Sequence, residues 1–159
     1  MRLAGNDEAL PYDLLLEADP SRAAIDAYLH APGAKLFVLP HDPSESPASV
    51  DSIQAVLALL PISDACLEIK NIAVAEEARG LGLGRMLLDF ARQYARKNEY
   101  KVLRIGTGNS SLDQLRIYQK AGFRMKSILP AFFVKNYPEP LFENGLQCRD
   151  MVVLEQDLT

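Results

Sequence analysis

A chain of 159 residues has room for one domain spanning 1–159, and 48% hydrophobic against 24% charged residues is the balance of a folded globular protein. The formal net charge of −4 excludes a general nucleic-acid binder, which needs a basic excess, while leaving room for a local basic patch. No apolar run approaches the ~20 residues that span a bilayer, and Gly5, Asn6, Asp7 and Glu8 interrupt any leader-like stretch. The expectation is a cytoplasmic protein with no membrane and no nucleic-acid partner.

Pro11 starts a first short helix, and Asp19-Pro20-Ser21 interrupts the pattern before Ala23, Ala24, Ala27 and Tyr28 resume it; His30 to Gly33 ends the second helix. Lys35 to Leu39 reads as a short strand stopped by Pro40, and His41 to Asp51, rich in proline and serine, as a loop. Ile53 to Leu60 is an apolar run of strand length, Leu60 to Asp64 a turn, and Cys66 to Val74 a partly alternating strand. The most regular helix follows, with Leu87, Phe90, Ala91 and Tyr94 at i, i+3, i+4 and i+7 and Asn98 closing it. Lys101 to Thr107 is a strand, Ser111 to Ala121 a helix capped by Gly122, and Phe123 to Ile128 a strand. Leu129 to Gln147 reads as a loop full of aromatics and prolines, and Arg149 to Glu155 as the final strand. The result is a mixed α/β layer protein with a mostly antiparallel front half. Cys66 and Cys148 read as small buried hydrophobes. No histidine or cysteine has the spacing of a zinc site, so no metal is expected.

Between a strand and the regular helix lies Arg79-Gly80-Leu81-Gly82-Leu83-Gly84-Arg85. Glycines at alternate positions remove Cβ atoms, so a ligand can approach the main chain closely. The first amides of a helix lack intrahelical partners, and the dipole makes that end partly positive. Together these make an anion site suited to a pyrophosphate, with Arg79 and Arg85 adding charge. The plainer reading is a connector whose glycines only permit a sharp turn. The nucleotide signatures GxxxxGK[ST] and GxGxxG both fail here: no Lys-Ser or Lys-Thr follows, and the third glycine position falls on Arg85 or Leu87.

The spacing Arg-x-x-Gly-x-Gly at Arg79, Gly82 and Gly84 resembles the coenzyme A signature of the GNAT superfamily of N-acetyltransferases. Ile72-Ala73-Val74 upstream and Tyr118 to Gly122-Phe123 downstream match further family pieces in the same order, and the likeness runs from about Lys35 to Leu154. The resemblance implies an α+β fold: a mixed, mostly antiparallel central sheet with a splayed parallel strand pair and flanking helices. It implies acetyl-coenzyme A as acetyl donor, its pyrophosphate on Arg79 to Arg85, and its pantetheine arm paired with the main chain of Ile72, Ala73 and Val74. Tyr118 takes the place of the family's usual general acid toward the departing thiolate, and Glu68, on the same strand as the thioester donors, resembles the general base of several members. The carboxylate otherwise reads as an exposed strand residue or a substrate-binding charge.

Many members place an asparagine seven residues before the tyrosine. Here that position is Ser111 and Asn109 stands two residues earlier. Asn109 and Ser111 either reach the cofactor or cap the helix together with Ser110. The segment Pro130 to Asn144 either walls the acceptor pocket, with Glu139 or Glu143 attracting a cationic amine, or forms a dimer contact or a lid packed over the sheet. The resemblance also leaves open a homodimer through the last strand. The expected activity is transfer of an acetyl group to a small-molecule or peptide amine by direct attack in a ternary complex. The alternatives are a non-catalytic acyl-coenzyme A sensor and a nucleotide-binding regulator.

Overall fold

The computed structural model describes residues 1–41 and 52–159, so all but the first residue of the expected 41–51 loop lies outside it. The seven-stranded sheet is built from β1 (Arg2–Leu3), β2 (Lys35–Pro40), β3 (Ile53–Pro61), β4 (Cys66–Val74), β5 (Val102–Gly108), β6 (Arg124–Leu129) and β9 (Met151–Asp157). The spatial order is β1-β2-β3-β4-β5-β9-β6, and every pairing is antiparallel except β4 with β5. This is the mixed sheet with one parallel pair that the resemblance implied. β9 is paired on both sides, by β5 and β6, so the last strand offers no free edge for a dimer; the edge at that end is β6.

Strand alternation divides the core between the two sheet faces. On one face Leu57, Leu59, Leu67, Ile69, Leu103, Ile105 and Leu154 pack with Leu87, Leu88, Ala91 and Ala95 of α3 (Leu83–Lys97) and with Tyr118 of α4 (Leu112–Lys120). On the other, Val56, Ala58 and Ala73 meet Leu14 and Leu15 of α1 (Tyr12–Ala18) and Ile25 and Tyr28 of α2 (Arg22–Leu29). Ser21 caps α2 by accepting from the Ala24 amide at 3.1 Å. The Asn98 amide donates to the Tyr94 carbonyl at 2.8 Å where α3 stops, and Gly122 follows α4 at φ +98°.

Where sequence reading saw a loop after Leu129, the chain folds into α5 (Phe132–Asn136) and a hairpin of β7 (Leu141–Glu143) with β8 (Leu146–Cys148). The hairpin turns on Asn144 and Gly145, both at positive φ, the two-residue loop whose twist suits antiparallel strands. This segment packs as a flap, or lid, over the end of β5. The Ala131 amide donates to Asp150 at 2.8 Å, Asn144 donates to the Ser110 carbonyl at 2.8 Å, and Phe133 lies over Gly108 at the end of β5.

Candidate active site

β4 and β5 pair from Cys66 opposite Val102 to Ile69 opposite Ile105, and no further. The next residue of β4, Lys70, has no partner on β3, where Ala58 faces Asn71 and Leu59 faces Ile69. An extra residue of this kind bends its strand, and this one sits where the parallel pairing ends. Ile72, Ala73 and Val74 therefore lie on a limb of β4 that has left β5, while β5 continues to Gly108 against β9. Their side chains remain structural: Ile72 and Val74 lean on the α3 face and Ala73 is buried on the other.

Beyond a short 3-10 turn at Glu76–Ala78 comes the glycine-rich segment. Gly80 (φ +78°) and Gly82 (φ +79°) hold left-handed backbone, which a turn requires. Gly84 does not; it sits inside the first turn of α3. A Cβ at any of the three would meet nothing within 4 Å. The turn explains two glycines, and the open space above the third is what a ligand approaching the helix start requires. Gly82 gives no side-chain cap and no acidic residue stands in the first turn of α3, so the amides and the positive end of the dipole stay available. The residues present fit a pyrophosphate. From Gly82 a groove of about 390 Å³ runs along Arg85, Met86, Asp89, Phe90 and Gln93, with Leu81 exposed beside it.

The two arginines differ. Arg85 forms no ion pair among the described residues. Arg79 is engaged: its Nε donates to the Val74 carbonyl at 3.1 Å and its NH2 meets Glu17 of α1 at 2.6 Å. Arg79 thus pins the glycine turn to the end of β4 and to α1.

Tyr118 is buried, edge-on to Phe123 at 6.2 Å between centroids, and burial pushes its phenol up to about 12. Its hydroxyl has no hydrogen-bond partner among the described residues. Glu68 lies between Leu67 and Ile69, which face Tyr118's side of the core, so its carboxylate projects to the opposite face of the sheet. There Lys70 Nζ meets it at 3.2 Å.

Asn109 is occupied by the fold. Its Oδ1 accepts from the amides of Arg149 (2.8 Å) and Asp150 (3.0 Å), and its Nδ2 donates to the Gln147 carbonyl at 3.1 Å. Ser111 stands at the N-cap of α4 yet makes no capping bond. Its hydroxyl donates instead to Glu143 of the hairpin at 3.1 Å, so the shared cap expected for Asn109, Ser110 and Ser111 does not form. Glu143 is thereby tied to the lid's base, and Glu139 is exposed.

Sequence reading missed a second set of residues. Tyr137, after α5, donates to Asp19 in the α1–α2 turn at 2.8 Å, and burial raises its phenol pKa. Asn71, 2% exposed on the departing limb of β4, donates to the Leu15 carbonyl and to the Tyr28 hydroxyl, both at 2.9 Å. An asparagine before the apolar Ile72-Ala73-Val74 of β4 was a visible signal; Asp19 and Tyr137, 118 positions apart, carried none. Cys66 and Cys148 are both buried free thiols, as read from the sequence. Among the described residues no group of three or more His, Cys, Asp or Glu is placed to hold a metal, and no helix is long and apolar enough to cross a membrane.

A central sheet with one splayed parallel pair, followed by a glycine turn that opens a helix, defines an acyl-coenzyme A transferase architecture. The family model for GNAT acetyltransferases matches residues 6–123, and the chain belongs to that family. It is 42% identical over 153 residues to the uncharacterized N-acetyltransferase YvbK of Bacillus subtilis (strain 168), covering 96% of this chain and 91% of that protein. A GNAT acetyltransferase of Elizabethkingia anophelis with acetyl-coenzyme A bound superimposes with a TM-score of 0.89 at 42% identity, covering 99% of this chain and 96% of that one. A Bacillus subtilis acetyltransferase in complex with coenzyme A gives 0.85 at 40% identity, covering 99% and 97%. The protein is an acyltransferase of this family, and these two neighbours hold acetyl-coenzyme A and coenzyme A.

Proposed function

We propose that this protein transfers the acetyl group to an amine by direct attack within a ternary complex. The observation that carries this reading is the gap between β4 and β5, with Glu68 on one face of the sheet and Tyr118 on the other. A thioester held in that gap presents one side to the amine that adds to its carbonyl carbon, forming a tetrahedral oxyanion, and the other to the acid that protonates the sulfur as the oxyanion collapses and expels it. Bound acetyl-coenzyme A supplies the activated acyl group; the chain supplies everything else.

Gly80, Gly82 and Gly84 with the first α3 amides and Arg85 hold the pyrophosphate, and Arg79, fixed by Glu17 and Val74, holds the turn in place. A main-chain amide of the Ile72–Val74 limb donates to the thioester carbonyl, a fixed donor of a kind that contributes about 3 kcal/mol at a developing oxyanion. Glu68 takes a proton from the acceptor ammonium, directly or through water, while Lys70 orients its carboxylate. Tyr118, kept protonated by burial, gives its proton to the thiolate. The lid, latched by Tyr137 to Asp19, walls the acceptor side.

Titration calorimetry with coenzyme A, ATP and NAD, followed by thiol-release screening of amines with acetyl-coenzyme A, tests the proposal. Coenzyme A binding with amine-dependent thiol release is expected. Binding of coenzyme A with no thiol release from any amine favours a non-catalytic sensor, and binding of ATP alone defeats the reading.

A further inference from the structure

The face of the sheet that carries Glu68 is covered unevenly. α1 and α2 pack over β3 and β4, and the lid covers the far end of β5 at Gly108. Between them the opposite end of β5, β9 and β6 stays open. Across it a row of charges runs in register: Glu68 beside Arg104, Arg104 beside Glu155, Glu155 beside Arg124. Signs alternate along the row, and Arg104 pairs with Glu155 at 2.8 Å. Arg124 ends it without an ion pair among the described residues.

The row runs into a cavity of about 580 Å³ lined by Lys101, Val102, Arg124, Lys126, Glu155 and Asp157, among others. Glu155 is neutralised by Arg104, and Asp157 accepts from the Thr159 amide at 2.9 Å and from its hydroxyl. Lys101, Arg124 and Lys126 form no ion pair among the described residues. Three exposed cations thus line the cavity with Asp157 and Thr159, on a chain whose net charge is −4. Local charge of the sign opposite to the molecule's own points to an anionic ligand.

Resting on the acyl-transfer reading, we infer that this groove is a distal subsite of the acceptor, and that the acceptor carries a carboxylate or phosphate-type anion held by Arg124, Lys126 and Lys101. Glu68 and Arg124 are three strand spacings apart, about 14 Å. An extended chain of about four residues spans that distance at 3.3–3.6 Å per residue. The acceptor class is therefore an amine whose anionic group lies about 14 Å away, as at the two ends of a short peptide.

Tetraglycine, its C-terminal amide, and the analogue ending in aminomethylphosphonate share one amine and differ only at the far end. Their KM values, with acetyl-coenzyme A saturating, test the subsite. The acid and the phosphonate are expected to show KM about ten-fold below the amide, as one or two charge-assisted contacts supply. Whichever of the two is lower identifies the anion. In the double variant Arg124→Gln/Lys126→Gln the advantage over the amide disappears, with coenzyme A binding by calorimetry reporting that the fold is intact. Equal KM for acid and amide in the unaltered protein overturns the inference, as does an advantage that survives in the variant. Failure of acyl transfer itself looks different: coenzyme A binds and no amine of any charge releases thiol. The acid and amide are then compared by calorimetry on the coenzyme A complex, where preference for the acid sustains the subsite and equal binding overturns it.

Discussion

Tyr118 shows how a single residue is prepared by its surroundings. A phenol that ordinarily ionises near 10 is pushed up to about 12 by burial, so it stays protonated across the working range, the form that the proposed acid role requires. Tyr118→Phe should lower kcat by about 100-fold and leave acetyl-coenzyme A affinity within about two-fold, since only the proton donor is lost; equal turnover would remove Tyr118 from the chemistry. The same shift has a sign in stability. A neutral form favoured in the fold contributes fully below pH 10 and is lost as pH rises toward about 12. Denaturation followed against pH should show stability falling over that window. The fall should be shallower in Tyr118→Phe, with Tyr28, also pushed up to about 12 by burial, and Tyr137, raised by burial and by Asp19, contributing to the remainder. The place of Tyr118 near the end of a helix closed by Gly122 was legible from local pattern, while its proposed role rests on the family likeness. Asn109 misled because its partners, the backbone of Gln147, Arg149 and Asp150, are 38 to 41 positions away, beyond the reach of local pattern. Arg79 was legible as a cation and not as a staple, because Glu17 stands 62 positions before it.

At the scale of elements, the glycine turn separates geometry from ligand. Gly80 and Gly82 need left-handed backbone, and Gly84 needs none. Gly84→Ala should keep or raise the melting temperature, because alanine favours a helix by up to about 1 kcal/mol over glycine. It should nonetheless raise the KM for acetyl-coenzyme A by about ten-fold, because the new methyl enters space that the fold leaves empty. An unchanged KM would return this glycine to the role of plain connector. The helix after the turn could be read in advance from its period of apolar residues. The lid could not: a helix of five residues and strands of three complete no period, and prolines at 130, 138 and 140 mask them. One sign was present in Asn144-Gly145, the residue pair that a two-residue hairpin turn selects.

At the scale of the molecule, the proposed mechanism has the sheet hold donor and acceptor sides apart, with the lid closing the acceptor side. The Tyr137 hydroxyl on Asp19 latches α5 to the α1–α2 turn, and α1 reaches the cofactor turn through Glu17. Tyr137→Phe removes one hydrogen bond, a loss of about 1 kcal/mol, and should change the KM for the amine while that for acetyl-coenzyme A stays put. Parallel changes in both constants would mean that the lid serves the whole site rather than the acceptor side. Apolar runs marked most strands of the central sheet and the splayed pair followed from the family likeness, while the spatial order of the strands and the short β1, β7 and β8 were not readable. The bend at Lys70 was not, because an extra residue shows only against a partner strand. Initial rates with both substrates varied test the central claim most directly. A ternary complex, with the amine attacking a thioester held between β4 and β5, predicts double-reciprocal lines that intersect and coenzyme A thiol released only when amine is present. Parallel lines, with thiol released before the amine arrives, would mean an acetylated enzyme and would contradict direct transfer.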